Sequence, residues 1–222
     1  MTPEIKSKIQ RILNYIETSS ENGNYGKISL FEDGPNGIKQ ITYGKTQTTE
    51  WGNLSKLIRL YIQKSGIYSK QFMEYVDSIG LISLVNNENF IKLLKIASTD
   101  SIMHSSQDEF FDLYYWKPAL NWFNENGFKL PLSLLVIYDS YIHSGGILGF
   151  LRQRFREVPP QKGGDEKQWI NAYLKCRHFW LENHSNPDLV KSSYRTRDMI
   201  RAMTEDNWLL NKKYFCNGAQ IS

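Results

Sequence analysis

At 222 residues, 41% hydrophobic and 14% aromatic, the chain carries enough apolar material to close a core of its own, which excludes an intrinsically disordered protein. A formal net charge of +4 is scattered along the chain, and the one dense basic stretch, Arg152 to Arg156, reads as a solvated helix face rather than a nucleic-acid groove. Two cysteines, Cys176 and Cys216, without CxxC spacing, and four histidines without HxxxH pairing read as reduced thiols in a protein that needs no metal and no cofactor.

The first predicted element is an amphipathic helix: Thr2 caps it, Pro3 takes the first helical position, and Ile5, Ile9, Ile12, Leu13 and Ile16 recur at helical spacing. Glu17 lies at its C-terminal end, against the negative pole of the helix dipole, a placement that suits a proton donor. Residues 18–48 then change character. Two β-like runs, Tyr25 to Phe31 and Ile38 to Tyr43, are joined by a loop in which Asn36-Gly37 is a strong turn signal and Asp33 sits on exposed backbone.

From residue 49 the pattern is helical almost throughout. Trp51, Leu54, Leu57, Ile58, Tyr61 and Ile62 form one stripe, and Phe90, Ile91, Leu94 and Ile96 contribute to another. Ser106 to Glu109 spells a capping box for the helix after it, which Pro118 should kink or split. Leu132 to Ile142 is apolar nearly all round and marks a central buried helix, and a late helix starts at Asp165. The expected fold is mainly α (α+β), two-lobed and lysozyme-like. It forms a single domain over residues 1–222, with a small β-containing lobe at about 18–48 and helices for the rest.

Two carboxyl groups brought across a cleft suit glycosidic bond cleavage, because one protonates the leaving oxygen while the other activates water. Glu17 and Asp33 are the candidate acid and base. Glu21 competes for the acid role from a polar, solvated stretch. Asp139 lies in the apolar central helix, where a charge is costly unless paired, and arginine is the partner able to satisfy both its oxygens. His143 ends that helix, where capping or a buried hydrogen bond is expected and substrate contact is the alternative.

Tyr25, Asp33-Gly34 and Ile41-Thr42-Tyr43-Gly44 together resemble the segment around the catalytic aspartate in the chitosanases of glycoside hydrolase family 46. Gly163-Gly164-Asp165-Glu166, with Trp169-Ile170-Asn171 and Arg177 downstream, and Asn207-Trp208-Leu209-Leu210 are similar to further stretches of that family. The resemblance implies an inverting mechanism with Glu17 as acid and Asp33 as base. It also implies a buried network of Asp139, Arg177 and Arg195, with Arg197 as the alternative to the last. A hairpin threonine that helps hold water in the family is replaced here by Lys39 or Gln40, with Thr42 two positions on. Tyr25 and Tyr43 join His143 as candidate substrate contacts.

For the polymer, Lys27, Lys39 and Lys45 on or beside the hairpin favour anionic peptidoglycan, hence a muramidase, with chitosan as the alternative substrate. A third reading is a catalytically idle module that binds glycan or protein. The N-terminus lacks the apolar segment of a secretory signal and no run is long enough to span a membrane, so no membrane partner is expected. Synthesis in the cytoplasm and action at the cell wall, as an antimicrobial monomer facing a polysaccharide and an inhibitor or immunity protein, complete the expectation.

Overall fold

The computed structural model describes residues 1–45 and 47–221. The chain divides into two compact units, one made of Met1–Ile16 with Tyr114–Ser222 and the other of Glu17–Leu113. The expected mainly α architecture with a small antiparallel sheet is present.

In the first unit, α1 (Pro3–Thr18) opens with the Thr2 hydroxyl accepting the Ile5 N–H at 3.4 Å and buries Ile9, Ile12, Leu13 and Ile16. Its neighbours after residue 113 are α6 (Lys117–Glu125), α7 (Pro131–Ser144), α8 (Gly149–Arg152), α9 (Glu166–Glu182), α10 (Pro187–Lys191) and α11 (Tyr194–Thr204). Helices α6, α9 and α11 pack on α7, whose residues from Pro131 to Ser140 are all buried, as its all-round apolar sequence dictates. Gly145 ends α7 in the left-handed region at φ +73°, where a side chain would be strained. Asp165 caps α9 by accepting the Gln168 N–H at 2.8 Å. Pro118 does split the helical run: a π-turn at Asp112–Trp116 leads into α6, which carries the proline in its first turn.

A hairpin of β4 (Tyr214–Cys216) and β5 (Ala219–Ile221) closes this unit, against the expectation of helix to the end. Its signal was Asn217-Gly218, both at positive φ, between strands too short to show alternation.

The second unit begins with a sheet of β1 (Ile28–Phe31), β2 (Gln40–Tyr43) and β3 (Thr48–Thr49), with Phe31 opposite Gln40 and Ile28 opposite Tyr43. Helices α2 (Leu54–Gln63), α3 (Ser69–Met73), α4 (Glu88–Ala97) and α5 (Ser101–Phe111) complete it, so this unit reaches well beyond residue 48. The strands cover less than the runs read from sequence, and β3 was not anticipated.

Buried Glu50 fastens β2 by accepting the N–H groups of Ile41 at 3.0 Å and Leu84 at 2.6 Å. The capping box at Ser106 is a correction: α5 starts at Ser101 under Asp100, which accepts the Ile102 N–H at 2.9 Å. Ser106 is mid-helix, its hydroxyl bonded back to the Ile102 carbonyl at 2.7 Å, because the Asp100 cap already satisfies the helix start. Among the described residues no helix is long and apolar enough to cross a membrane.

Candidate active site

Glu17 stands one residue from the end of α1 and is partly exposed. The backbone around it is held twice. In the first unit the Tyr194 hydroxyl donates to the Ile16 carbonyl at 2.7 Å, and in the second Lys27 Nζ donates to the Glu17 carbonyl at 2.5 Å. A cation on the last carbonyls of a helix meets the negative pole of its dipole, which stabilises the end of α1. Half-buried Lys27 is lowered from its ordinary range by desolvation, offset in part by the charge of Glu17.

Asp33 lies between β1 and β2, exposed, in a loop closed by a hydrogen bond from Gly34 N–H to the Ile38 carbonyl at 3.0 Å. Asn36 and Gly37 take positive φ in this loop, as their sequence signalled. A Cβ at Gly34 would lie 2.5 Å from the Ile38 carbonyl oxygen and 3.2 Å from the Trp51 ring, so the loop closes only around glycine. Gln40, at the start of β2 and 4% exposed, donates from Nε2 to Asp33 Oδ1 at 2.8 Å and accepts the Trp51 N–H at Oε1, 3.1 Å away. Of the two residues offered for the hairpin position, Gln40 therefore meets the candidate base, whereas Lys39 is exposed.

Two hairpin assignments change in the structure. Tyr43 is fully buried with its hydroxyl donated to the Leu94 carbonyl at 2.9 Å, so it is a core residue and not a sugar contact. Thr42 is 3% exposed, its hydroxyl held between the Ser29 carbonyl at 3.2 Å and Gln47 Oε1 at 2.9 Å, which makes it a link within the sheet rather than a holder of water. Both follow from β2 being covered on both faces, all four of its residues buried. Tyr25 is partly exposed but engaged: its ring stacks on His104 at 4.0 Å and its hydroxyl bonds the Asp108 carboxylate, both oxygens 3.0 Å away. Lys45 completes that cluster, 2.7 Å from Asp108 Oδ1 and over the Tyr25 ring.

In the first unit, Asp139 is fully buried and doubly paired. Arg177 Nη1 donates to Oδ2 at 2.5 Å and Arg195 Nε to Oδ1 at 3.0 Å, with both guanidinium groups buried. Arg197 instead lies 3.4 Å from buried Asp198, so Arg195 is the member of the network. His143 sits with Nδ1 3.3 Å from the Ser144 hydroxyl and Nε2 3.2 Å from that of Ser192. Burial, then the charges of Arg195 and Arg177, hold its imidazole well below its ordinary range, so it is neutral. Both ring nitrogens have protein partners, which fits a buried hydrogen bond better than a sugar contact.

Sequence reasoning missed the ties that Lys27 and Trp51 make. A lysine nine residues beyond a helix end offers a weak signal, and a backbone amide such as that of Trp51 offers none. Among the described residues no group of three or more His, Cys, Asp and Glu gathers as a metal site.

The family model described as Glycosyl hydrolase family 46 matches residues 11–213. A chitosanase of Bacillus subtilis (strain 168) is 22% identical over 220 residues, covering 91% of this chain and 77% of its own. Among solved structures, a glutamate-to-alanine mutant chitosanase from Bacillus subtilis MY002, complexed with 6 GlcN, superposes with a TM-score of 0.85 at 22% identity over 100% of both chains. A family 46 chitosanase from Gynuella sunshinyii in complex with chitotetraose gives 0.86 at 21% identity, over 99% of this chain and 97% of the other.

Proposed function

Because the chain belongs to glycosyl hydrolase family 46 and is a glycoside hydrolase, we propose that it cleaves β-1,4 linkages of chitosan, with Glu17 as general acid and Asp33 as general base. Glu17 gives its proton to the glycosidic oxygen as the C–O bond breaks. Asp33 takes a proton from the water that attacks the anomeric carbon, so the product is inverted and the two carboxyls exchange their protonation states. The observation that carries this reading is the exposed Asp33 carboxylate on a closed hairpin loop inside the family match, held at one oxygen and leaving the other for water.

Chitosan takes precedence over peptidoglycan on charge. The case for an anionic polymer rested on Lys27, Lys39 and Lys45, but Lys45 is neutralised by Asp108 and Lys27 is turned onto the Glu17 carbonyl. Of those three only Lys39 is left exposed, on the same loop as the exposed Glu32 and Asp33. A polycation suits that balance, and the relatives are named as chitosanases.

The test is release of reducing ends from chitosan and from peptidoglycan by wild type, Glu17→Gln and Asp33→Asn, with NMR of the first anomer formed. Wild type is expected to cut chitosan with inversion, and each variant to lose roughly 100-fold or more. Cleavage of peptidoglycan alone would restore the muramidase reading. Binding of either polymer without any cleavage by folded wild type would leave a glycan-binding module, and full rates in both variants would overturn the two assignments.

A further inference from the structure

We propose that Gln40 is a positioning residue for hydrolysis: clamped by the Trp51 amide, its carboxamide holds Asp33 in one rotamer and leaves the second carboxylate oxygen to the attacking water. The inference rests on the reading of Asp33 as the base.

The orientation of the Gln40 amide is settled by chemistry. The Trp51 N–H can only donate, so the Gln40 atom 3.1 Å from it must be the carbonyl oxygen, and the NH2 group is thereby turned toward Asp33 Oδ1 at 2.8 Å. Gln40 is 4% exposed and sits in the β ladder opposite Phe31, so folding has already ordered this long side chain before substrate arrives. An exposed aspartate on a loop would otherwise exchange rotamers freely.

Two restraints act in sequence. The Gly34 to Ile38 hydrogen bond closes the loop and fixes the backbone beside Asp33, and Gln40 then fixes the side chain. Among the described residues this is the single hydrogen bond to the Asp33 carboxylate, made at Oδ1. An arginine in the same place would reach both oxygens with its planar fork, whereas the Gln40 amide, its oxygen committed to Trp51, meets the carboxylate at Oδ1 alone. A carboxylate held at one oxygen and free at the other is what a base that must hold a water requires. Glu32 and Lys39 are the charged neighbours on the loop, and both are exposed.

The experiment compares wild type, Gln40→Leu, Gln40→Glu and Asp33→Asn on chitosan, recording kcat, KM, the pH–rate profile and thermal unfolding. Gln40→Leu is expected to lose between about 10- and 100-fold in kcat with KM changed less than about twofold, because the base is misplaced while sugar binding is kept. Gln40→Glu is nearly isosteric and still accepts from Trp51, so it keeps the fold even if the leucine variant does not. It sets a second carboxyl against the first and should move the acidic limb of kcat/KM upward by about one pH unit or more. A merely structural glutamine would leave the kcat of folded Gln40→Leu at the wild-type value.

Gln40→Glu with the wild-type pH profile, or folded Gln40→Leu with the wild-type kcat, overturns the proposal. If Asp33→Asn is inactive in that event, only the role of Gln40 is lost. If Asp33→Asn is itself fully active, the assignment of the base fails, and the two failures are thus told apart.

Discussion

Two carboxylates in this protein are gripped by nitrogen donors in different ways, and solvent decides which way. Asp139 has no contact with water and is held by two guanidinium groups. Asp33 is exposed and is held by one neutral amide. Asp100 shows the intermediate case: at 4% exposure, burial alone would push its carboxyl up. Hydrogen bonds from the Tyr61 hydroxyl and the amides of Ile102 and Ile67 outweigh burial and hold it below its ordinary range. A fully buried charge needs opposite charge or several converging donors, and a carboxylate proposed as a base needs water more than partners.

The strongest way to break this comparison is Arg177→Met. Removing one partner strands a buried carboxylate, which costs about 3–5 kcal/mol in general. Among the described residues, Nε and Nη2 of Arg177 are themselves buried without a hydrogen-bond partner, so their removal offsets part of the loss. The expectation is the low end, about 3 kcal/mol, read as a fall in Tm of roughly 6–12 °C for a chain of this size. A loss under about 1 kcal/mol would mean that charge pairing is not what keeps Asp139 buried.

A smaller effect tests the same cluster through pH. The imidazole of His143 is held well below its ordinary 6.5 by burial and then by Arg195 and Arg177, so the unfolded chain takes up a proton before the folded one does. Its contribution is therefore fully present above pH 6.5 and lost as pH falls toward the folded value. Urea unfolding at several pH values should show His143→Gln flattening the decline of stability between pH 6.5 and about 5. An unchanged slope would mean that neither burial nor the two arginines holds this ring below its ordinary range.

How much of this was legible in the sequence depends on the kind of interaction. Period and caps announced α1, α7 and α9, since Thr2-Pro3, the apolar run from Leu132 and Asp165 each act through neighbours in the chain. The pairing of Asp139 followed from the cost of burying its charge. Tyr43, named as a candidate substrate contact, lies in the core because α4, arriving 51 residues later, supplies the Leu94 carbonyl that its hydroxyl meets, a contact that no local pattern announces. Gln40 was picked out by its place on the hairpin. Its partner Trp51 was not, because a backbone amide carries no sequence label. Lys45 illustrates the same limit, since its cation reads as free until Asp108 is brought beside it across 63 positions.

The smallest expected effect sharpens the comparison most. Asp33→Asn changes an exposed side chain whose hydrogen bond from Gln40 Nε2 an amide oxygen can still accept. Its unfolding free energy by urea titration should stay within about 0.5 kcal/mol of wild type. Hydrolysis of chitosan should nevertheless collapse, because an amide cannot take the proton from water. Arg177→Met should lose several times more stability than Asp33→Asn, and that contrast separates a carboxylate kept for the fold from one kept for the reaction. If Asp33→Asn instead cost as much as 2 kcal/mol, a loss on the scale of a named structural defect, then Asp33 would be a fastening of the hairpin, and both it and Asp139 would belong to the architecture.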